Sequence, residues 1–376
     1  MRVGIVSSAS EFMEMQESWA RLLGQYEDEP LPLTHHWLYT WWQVFGEGCK
    51  LKIVTVFMDA KLVVVAPFLL ERIWFRGLVP VTQQKLMGNE HSPFCDVIVD
   101  PGLSAQDQRA ALKAVVDESA VDLLSFYKIP RESMLRSFVS EYQAPGRLLG
   151  ESRGRVTPII GVSDDWDEFL KGKSRKFRKS LNNKLNRIKR EKSISVSRYS
   201  VESRDDSRLQ DMLSISMRSW KREIGTDLGS NQSGYEFLLS LADVLGPKGK
   251  MNIWLMYDDT TPIAYELHLL HGRVAYPINA DYAEEFRRLS PGSVLEYTAL
   301  KTLFEEGQVA QYYSCANDYW YLRNWSKERQ HLVTIHMASK RPLGMALYGL
   351  EYTVVPIIRQ LRDRLSRWLK RNKVGT

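Results

Sequence analysis

Two hairpins of the same make stand in the two halves of the chain, and they restrict what it can fold into. In the first, Ile53–Phe57 and Leu62–Leu69 flank a turn at Met58–Lys61. In the second, Met251–Tyr257 and Ile263–Leu270 flank Asp258-Asp259-Thr260-Thr261-Pro262. β-Branched runs bounded by turn residues read as paired strands. The surroundings repeat as well. A strand at Arg2–Val6 and a helix carrying Phe12, Met15, Trp19 and Leu22 on one face precede the first hairpin. The aromatic segment His36-Trp37-Leu38-Tyr39-Thr40-Trp41-Trp42 spaces its rings as a buried helix does. A strand at Asp96–Val99, a helix over Ala105–Glu118 and a strand at Val121–Tyr127 come after it.

In the second half a basic helix over 174–192 and a helix over 207–221 lead into the hairpin. A third strand, Arg273–Asn279, comes next, then a loop, a helix over Ser293–Glu306 stopped by Gly307, and a strand at Gln311–Cys315. Helices, a meander, then loop, helix and strand thus occur twice. At 376 residues the chain is long for one core. The expected class is α/β (α+β): two tandem domains, each a mixed, mostly antiparallel sheet flanked by helices. Pro145, Gly146, Gly150, Ser152 and Gly154 mark the expected linker. The domains are then 1–150 and 155–340, with a basic amphipathic helix over 341–376.

With 44% hydrophobic and 26% charged residues, the composition is that of a globular protein. The three cysteines, Cys49, Cys95 and Cys315, are odd in number and far apart, which points to neither a disulfide framework nor a metal cluster. Met1–Ser10 does not read as a secretory signal. The longest apolar run, Leu62–Leu70, contains Pro67 and falls well short of the roughly 20 residues of a membrane span. A soluble, cytoplasmic protein is expected. Its net charge of +6 is unevenly spread. Residues 171–192 hold eleven Lys/Arg against the single acid Glu191, and a second basic stretch runs from Arg359 to Lys373. Such patches suit phosphates, anionic lipid or nucleic acid, and equally a solvated helix face.

The segment from Ile278 to Leu303 carries the chemistry. A strand ends at Asn279-Ala280-Asp281-Tyr282, and Arg287-Arg288-Leu289-Ser290-Pro291-Gly292-Ser293 leads straight into a helix. Small residues at a helix N-terminus present backbone N–H groups at the positive end of its dipole, a ready phosphate site. Arg287 and Arg288 can reinforce it. Ser293 with Glu296 could instead form a capping box.

Arg287-x-x-Ser290-x-Gly292 resembles the Arg/Gln-x-x-Gly-x-Gly/Ala loop with which GNAT acyltransferases hold the coenzyme A pyrophosphate, with Ser290 in place of the first glycine. More closely, the chain resembles the tandem-GNAT branch that includes the CelD-type proteins of bacterial polysaccharide clusters, with the FemAB aminoacyl-transferases as cousins. The match runs through Trp37, Trp41-Trp42, Phe45-Gly46, Ala66-Pro67, the basic run at Arg175–Arg190, Trp220-Lys221 with Gly225, Pro262-Ile263-Ala264, Ser290-Pro291-Gly292, and Ser314-Cys315-Ala316 with Trp325 and Arg329. The resemblance implies two GNAT-like domains, of which only the second holds the acyl-CoA loop. It also implies an acyl-CoA-dependent N-acyltransferase, an acetyltransferase by default, acting on an amine or amino sugar in polysaccharide or envelope biosynthesis. Acetyl-CoA or another acyl-CoA would be cosubstrate, and no metal is called for. Where relatives place an aspartate before Ser-Cys-Ala, this chain has Tyr313, which leaves catalysis altered or its role moved to Asp318.

Acyl transfer needs a base for the ammonium, a donor for the oxyanion and a proton for the leaving thiolate. Simple alternation along Arg273–Asp281 sets Val274, Tyr276 and Ile278 on one face and Asn279 and Asp281 on the other. Asp281 is the first candidate base and Glu266 the second, with a surface role as the plainer account of Glu266. Tyr319 and Tyr321 are candidate acids; Trp220, Lys221 and Asn279 are candidates for the acceptor site. The loop candidates for the cosubstrate are Arg287, Arg288, Ser290, Pro291, Gly292 and Ser293. The seven histidines show no ligand spacing, and neither a Gly-x-Ser-x-Gly elbow nor a Walker loop is present. Two other functions fit the resemblance: aminoacyl transfer from tRNA, which would use the basic run, and a non-catalytic scaffold. Val354, Ile358, Leu361, Leu365 and Trp368 form a narrow apolar seam in the C-terminal helix. It suits peripheral contact with an anionic membrane at the inner face, or packing on the protein.

Overall fold

The computed structural model describes residues 1–142, 144–162, 165–191 and 193–373, and within the last helix the side chains of 355–362, 364 and 365 only. The first half comprises β1 (Arg2–Val6), α1 (Ala9–Glu14), α2 (Gln16–Leu23), α3 (His35–Phe45), β2 (Lys50–Met58), β3 (Lys61–Phe75), β4 (Val79–Leu86), the short β5 (Ile98–Val99), α4 (Ala105–Asp117), β6 (Leu123–Pro130) and α5 (Met134–Glu141). β7 (Arg147–Gly161) leads to the second half: α6 (Trp166–Lys171), α7 (Arg175–Arg190), β8 (Ile194–Ser200), α8 (Ser207–Met217), α9 (Gln232–Leu245), β9 (Met251–Asp258), β10 (Thr261–His271), β11 (Val274–Tyr282), α10 (Pro291–Glu306), β12 (Gln311–Tyr313) and β13 (Arg329–Ser339). The chain closes with α11 (Pro342–Gly349), a π-helical turn at Leu350–Val354, and α12 (Val355–Lys373).

The strands form one continuous sheet in the order β1-β2-β3-β4-β6-β13-β7-β12-β11-β10-β9-β8, with β5 beside β3. Each half repeats the same plan: an antiparallel meander of four strands, then one parallel neighbour, β6 beside β4 and β12 beside β11. The strand that completes each half comes from beyond it in sequence. β13 pairs with β6, β7 pairs with β12, and β7 and β13 pair with each other along Arg147–Pro158 and Arg329–Ser339.

The expected linker is therefore corrected. Residues 147–154 form the first half of β7, in the middle of the sheet. Its glycines answer to close approach rather than to chain flexibility. A Cβ on Gly150 would run into the Tyr352 ring, and one on Gly154 would sit 3.0 Å from the Leu332 carbonyl oxygen. The first half's core likewise includes Val333, Ile335 and Met337 from β13. A second core spans both halves, joining Trp19, Trp37 and Trp41 to Met212, Phe237 and Leu241. The Trp37 and Phe237 rings meet edge to face at 5.1 Å.

The C-terminal segment is corrected in its start. It begins as α11, which buries Leu347 against Phe75, Val81 and Leu123. Glu351 then pairs with Arg76. Trp368 of the expected seam, and the side chains of Arg367, Lys370, Arg371, Lys373 and Asp363, lie outside the described residues.

Gly150→Ala should destabilise the protein by about 1–3 kcal/mol in denaturant unfolding, the usual cost of overpacking. In a Tyr352→Ala background the same change should cost much less. Equal costs in both backgrounds would show that the ring does not set the limit at residue 150.

Candidate active site

β11 pairs with β12 only at Val274 with Gln311 and Ala275 with Tyr312, and the two strands then part. Two features of β11 lie where pairing ends. Pro277 has no N–H to give to a ladder. A bulge shifts the register against β10, from Leu267 opposite Asn279 to His268 opposite Pro277. Such a bulge bends a strand and reverses the facing of the residues beyond it. The expected alternation is thereby corrected. Val274 and Tyr276 face the core shared with α8 and α9, and beyond the bulge Asn279 and Asp281 face the same way.

On that face Tyr265 donates to Asn279 Oδ1. Asp281 Oδ2 accepts from Ser216 at 3.1 Å and pairs with Lys221 Nζ at 3.1 Å. Burial pushes the Asp281 carboxyl up, while Lys221 pulls it the other way. Lys221 also donates to the Ala280 carbonyl, and Trp220 beside it is exposed. The sequence candidates Asn279, Asp281, Trp220 and Lys221 therefore sit on or beside the α8 face.

The opposite face holds Glu266, which the alternative account would have left on the surface. It is buried. Its Oε1 accepts from the Tyr312 hydroxyl at 2.6 Å, and His268 Nε2 lies 3.4 Å away. Its Oε2 is buried with no hydrogen-bond partner among the described residues. Opposite it, from α10, comes Glu296. Burial, with the neighbouring charge of Glu266, pushes Glu296 up to about 8, against partial relief from Trp325 and Lys184. Tyr321 reaches the same cluster, where burial and the charges of Glu296 and Glu266 push its hydroxyl far up. Tyr319 stacks on Tyr321 at the rim, with ring centroids 5.6 Å apart. Asp318 is held by Arg329 at 2.8 Å and Arg323 at 3.0 Å, so it anchors this loop. Tyr313 donates to Gln330 and packs between Tyr276 and Phe94.

The N-terminus of α10 opens beside these carboxylates. Its N-cap is Ser290, whose left-handed backbone (φ 58°) is one that glycine adopts freely, and its side chain caps nothing. The expected capping box is thus replaced: Ser293 meets Lys184 Nζ at 2.8 Å, and Glu296 turns into the acid cluster. Lys184 belongs to α7, which buries Leu181 and Ile188 beneath α10 and leaves its basic side directed outward. Arg187, one turn on, donates to the Arg288 carbonyl. The basic run thus supplies two cations to the loop, while Arg287 pairs with Glu284 at 3.2 Å and is largely exposed, as is Arg288. Lys192, at the end of that run, lies outside the described residues. Pro291 opens the helix without an N–H, and a Cβ on Gly292 would meet only Tyr282, at 3.6 Å. An uncapped helix end with cations on one side suits a phosphate group. Among the described residues no His/Cys/Asp/Glu group could hold a metal ion.

Lys184, Arg187 and Glu296 escaped sequence reasoning. The two cations had a signal, since a strongly basic helix in the same half of the chain as an anion loop is a natural partner for it. Glu296 had a misleading one, its capping-box spacing from Ser293.

Residues 175–323 match the family model described as an acetyltransferase (GNAT) domain. The crystal structure of FemX is similar over 93% of this chain and 100% of its own, with TM-score 0.56 and 12% identity. The C-terminal domain of a putative lysylphosphatidylglycerol synthetase from Agrobacterium fabrum is similar over 93% of this chain and 97% of its own, with TM-score 0.52 and 11% identity. L-PGS from Bacillus licheniformis covers 89% of this chain and 94% of its own, with TM-score 0.50 and 12% identity. At these identities the likeness is one of fold. No curated protein sequence matches the chain.

Glu296 titrates above its ordinary value of 4.5, so the folded state holds this proton more tightly than the unfolded chain. The stability it contributes is complete below the ordinary value and falls as pH rises toward about 8. Glu296→Gln should therefore gain on the parent in melting temperature progressively across that window and level off above it. A difference that does not change with pH would show that Glu296 is not held protonated.

Proposed function

From the premise that the chain is a tandem of two GNAT-type sheets, the second of them a GNAT domain, we propose that it is an acyl-coenzyme A-dependent N-acyltransferase. One observation supports this above the others: the uncapped start of α10, with Lys184 beside it, stands next to two neighbouring carboxylates, the buried Glu266 and the half-buried Glu296, near the parting of two strands. The first half repeats the sheet, but its sequence has no Arg-x-x-Ser/Gly-x-Gly loop ahead of a helix, so the cosubstrate is assigned to the second half.

Acyl-coenzyme A would supply the activated acyl group. Lys184, Arg187, Arg288 and the Ser290–Ser293 loop would hold its phosphates. The unpaired edge of β11 beyond Ala275 offers backbone donors for a carbonyl oxygen. Glu266, with one carboxylate oxygen unpartnered, is the base for the proton that an attacking ammonium must lose. This role goes to Glu266 rather than Asp281, whose Oδ2 is already held by Lys221 and Ser216. Glu296, protonated to about 8, matches a leaving thiol, whose reference value is about 8.5. Tyr321, whose hydroxyl is raised, is assigned to hydrogen bonding at the mouth of the site, with Tyr319 beside it. Asn279, Asp281, Lys221 and Trp220 would line the acceptor side, for an amine or amino sugar. A place in polysaccharide or envelope assembly would fit such an acceptor. The exposed basic residues of α7, among them Arg175, Lys176 and Lys179, favour a second donor class, aminoacyl-tRNA.

Lys184→Ala should weaken acetyl-CoA binding, followed by calorimetry, by about 1–3 kcal/mol. Glu266→Gln should lower turnover about 10²–10⁴-fold and leave that affinity nearly intact, with thiol release as the assay. Asp281→Asn should cost less than Glu266→Gln. The reverse order would move the base to the α8 face. Tight, salt-sensitive tRNA binding without acetyl-CoA binding would support the second donor.

A further inference from the structure

The C-terminal segment changes character after Tyr352. Up to that point it is docked: Leu347 and Glu351 are buried, and the Tyr352 hydroxyl meets His336 Nδ1 at 3.1 Å. Beyond it, apolar side chains turn to solvent. Val354 is 43% exposed, Ile357 52%, Ile358 57%, Leu361 58% and Leu365 58%. Val354, Ile358, Leu361 and Leu365 recur at alternating intervals of four and three, which makes one stripe along the helix. Arg359, Arg362 and Arg364 are exposed on the same helix. Over residues 355–373 the sequence carries seven Lys/Arg against the single acid Asp363.

We propose that α12 lies flat on an anionic lipid surface, with this stripe set among the acyl chains and its basic residues against the headgroups. An uncovered aliphatic stripe rimmed by cations is complementary to an anionic bilayer in both of its parts. A second copy of the chain fits it poorly, because pairing two such helices would set arginines against arginines. No helix among the described residues is long and apolar enough to cross a membrane. The docked α11 and the Glu351–Arg76 pair would carry the rest of the protein with the helix. This inference does not depend on the acyl-transfer reading.

Co-sedimentation of the full chain with large vesicles tests it. One set contains phosphatidylglycerol in phosphatidylcholine; the other is phosphatidylcholine alone. The protein should pellet with the anionic set at low salt and be released by high salt. It should stay in solution with the neutral set. Ile358→Asp with Leu361→Asp, both at exposed positions, should lower the bound fraction about tenfold or more without changing the melting temperature. Truncation after Tyr352 should do the same. Failure of the intact chain to bind anionic vesicles overturns the proposal. So does equal binding by the double variant, which would place the contact on α7. A concentration-dependent dimer that the double variant abolishes, without vesicle binding, would make the stripe a self-association surface instead.

Discussion

Strands β11 and β12 stop pairing after Ala275 and Tyr312, and the site depends on that parting. An unpaired edge inside a sheet leaves backbone donors and acceptors without ladder partners, which is costly unless water or a ligand meets them. The local sequence favours the break: Pro277 cannot donate, and the bulge beside it bends the strand away. The opening is useful in proportion to the groups that surround it. Tyr312 and Glu266 line one face, Tyr276 and Tyr313 the other, and the start of α10 stands at the open end. The reciprocal exchange of β7 and β13 holds the two halves in a single sheet, so the opening is braced on both sides.

The carboxylates divide by face. Asp281 is compensated by a cation and a hydroxyl, as a buried charge in a structural or recognition role usually is. Glu266 has the Tyr312 hydroxyl on one oxygen and no partner on the other among the described residues, and burial together with its charge raises Glu296, against only partial relief from Trp325 and Lys184. Acids whose compensation is incomplete cost stability, and perturbed acids of this kind cluster at functional sites. The basic helix α7 also serves two ends. Its apolar side, with Leu181 and Ile188, supports α10, and its polar side brings Lys184 and Arg187 to the loop.

Much of the fold was legible in the residues. The two hairpins, the repeated order of elements and the stop of α10 at Gly307 each came from period-two or period-three-to-four patterns and a left-handed cap. The linker was not, because Gly150 and Gly154 answer to close approaches by Tyr352 and Leu332, partners far away along the chain. Nor was the face occupied by Asp281. Alternation is a sound rule for a regular strand, and a single inserted residue near Pro277 reverses it. Glu296 was hidden by its spacing from Ser293, since a capping box and an acid turned toward the core one turn inside the helix share one sequence pattern.

Hydrogen exchange of the full chain with and without saturating acetyl-CoA tests most directly whether the cosubstrate lies over the junction of α7 and α10. Exchange should slow in the amides of Gly292–Val294 and in the stretch of α7 around Lys184, with little change in β1 to β4. Unchanged exchange there, or protection confined to the first half of the chain, would contradict the account.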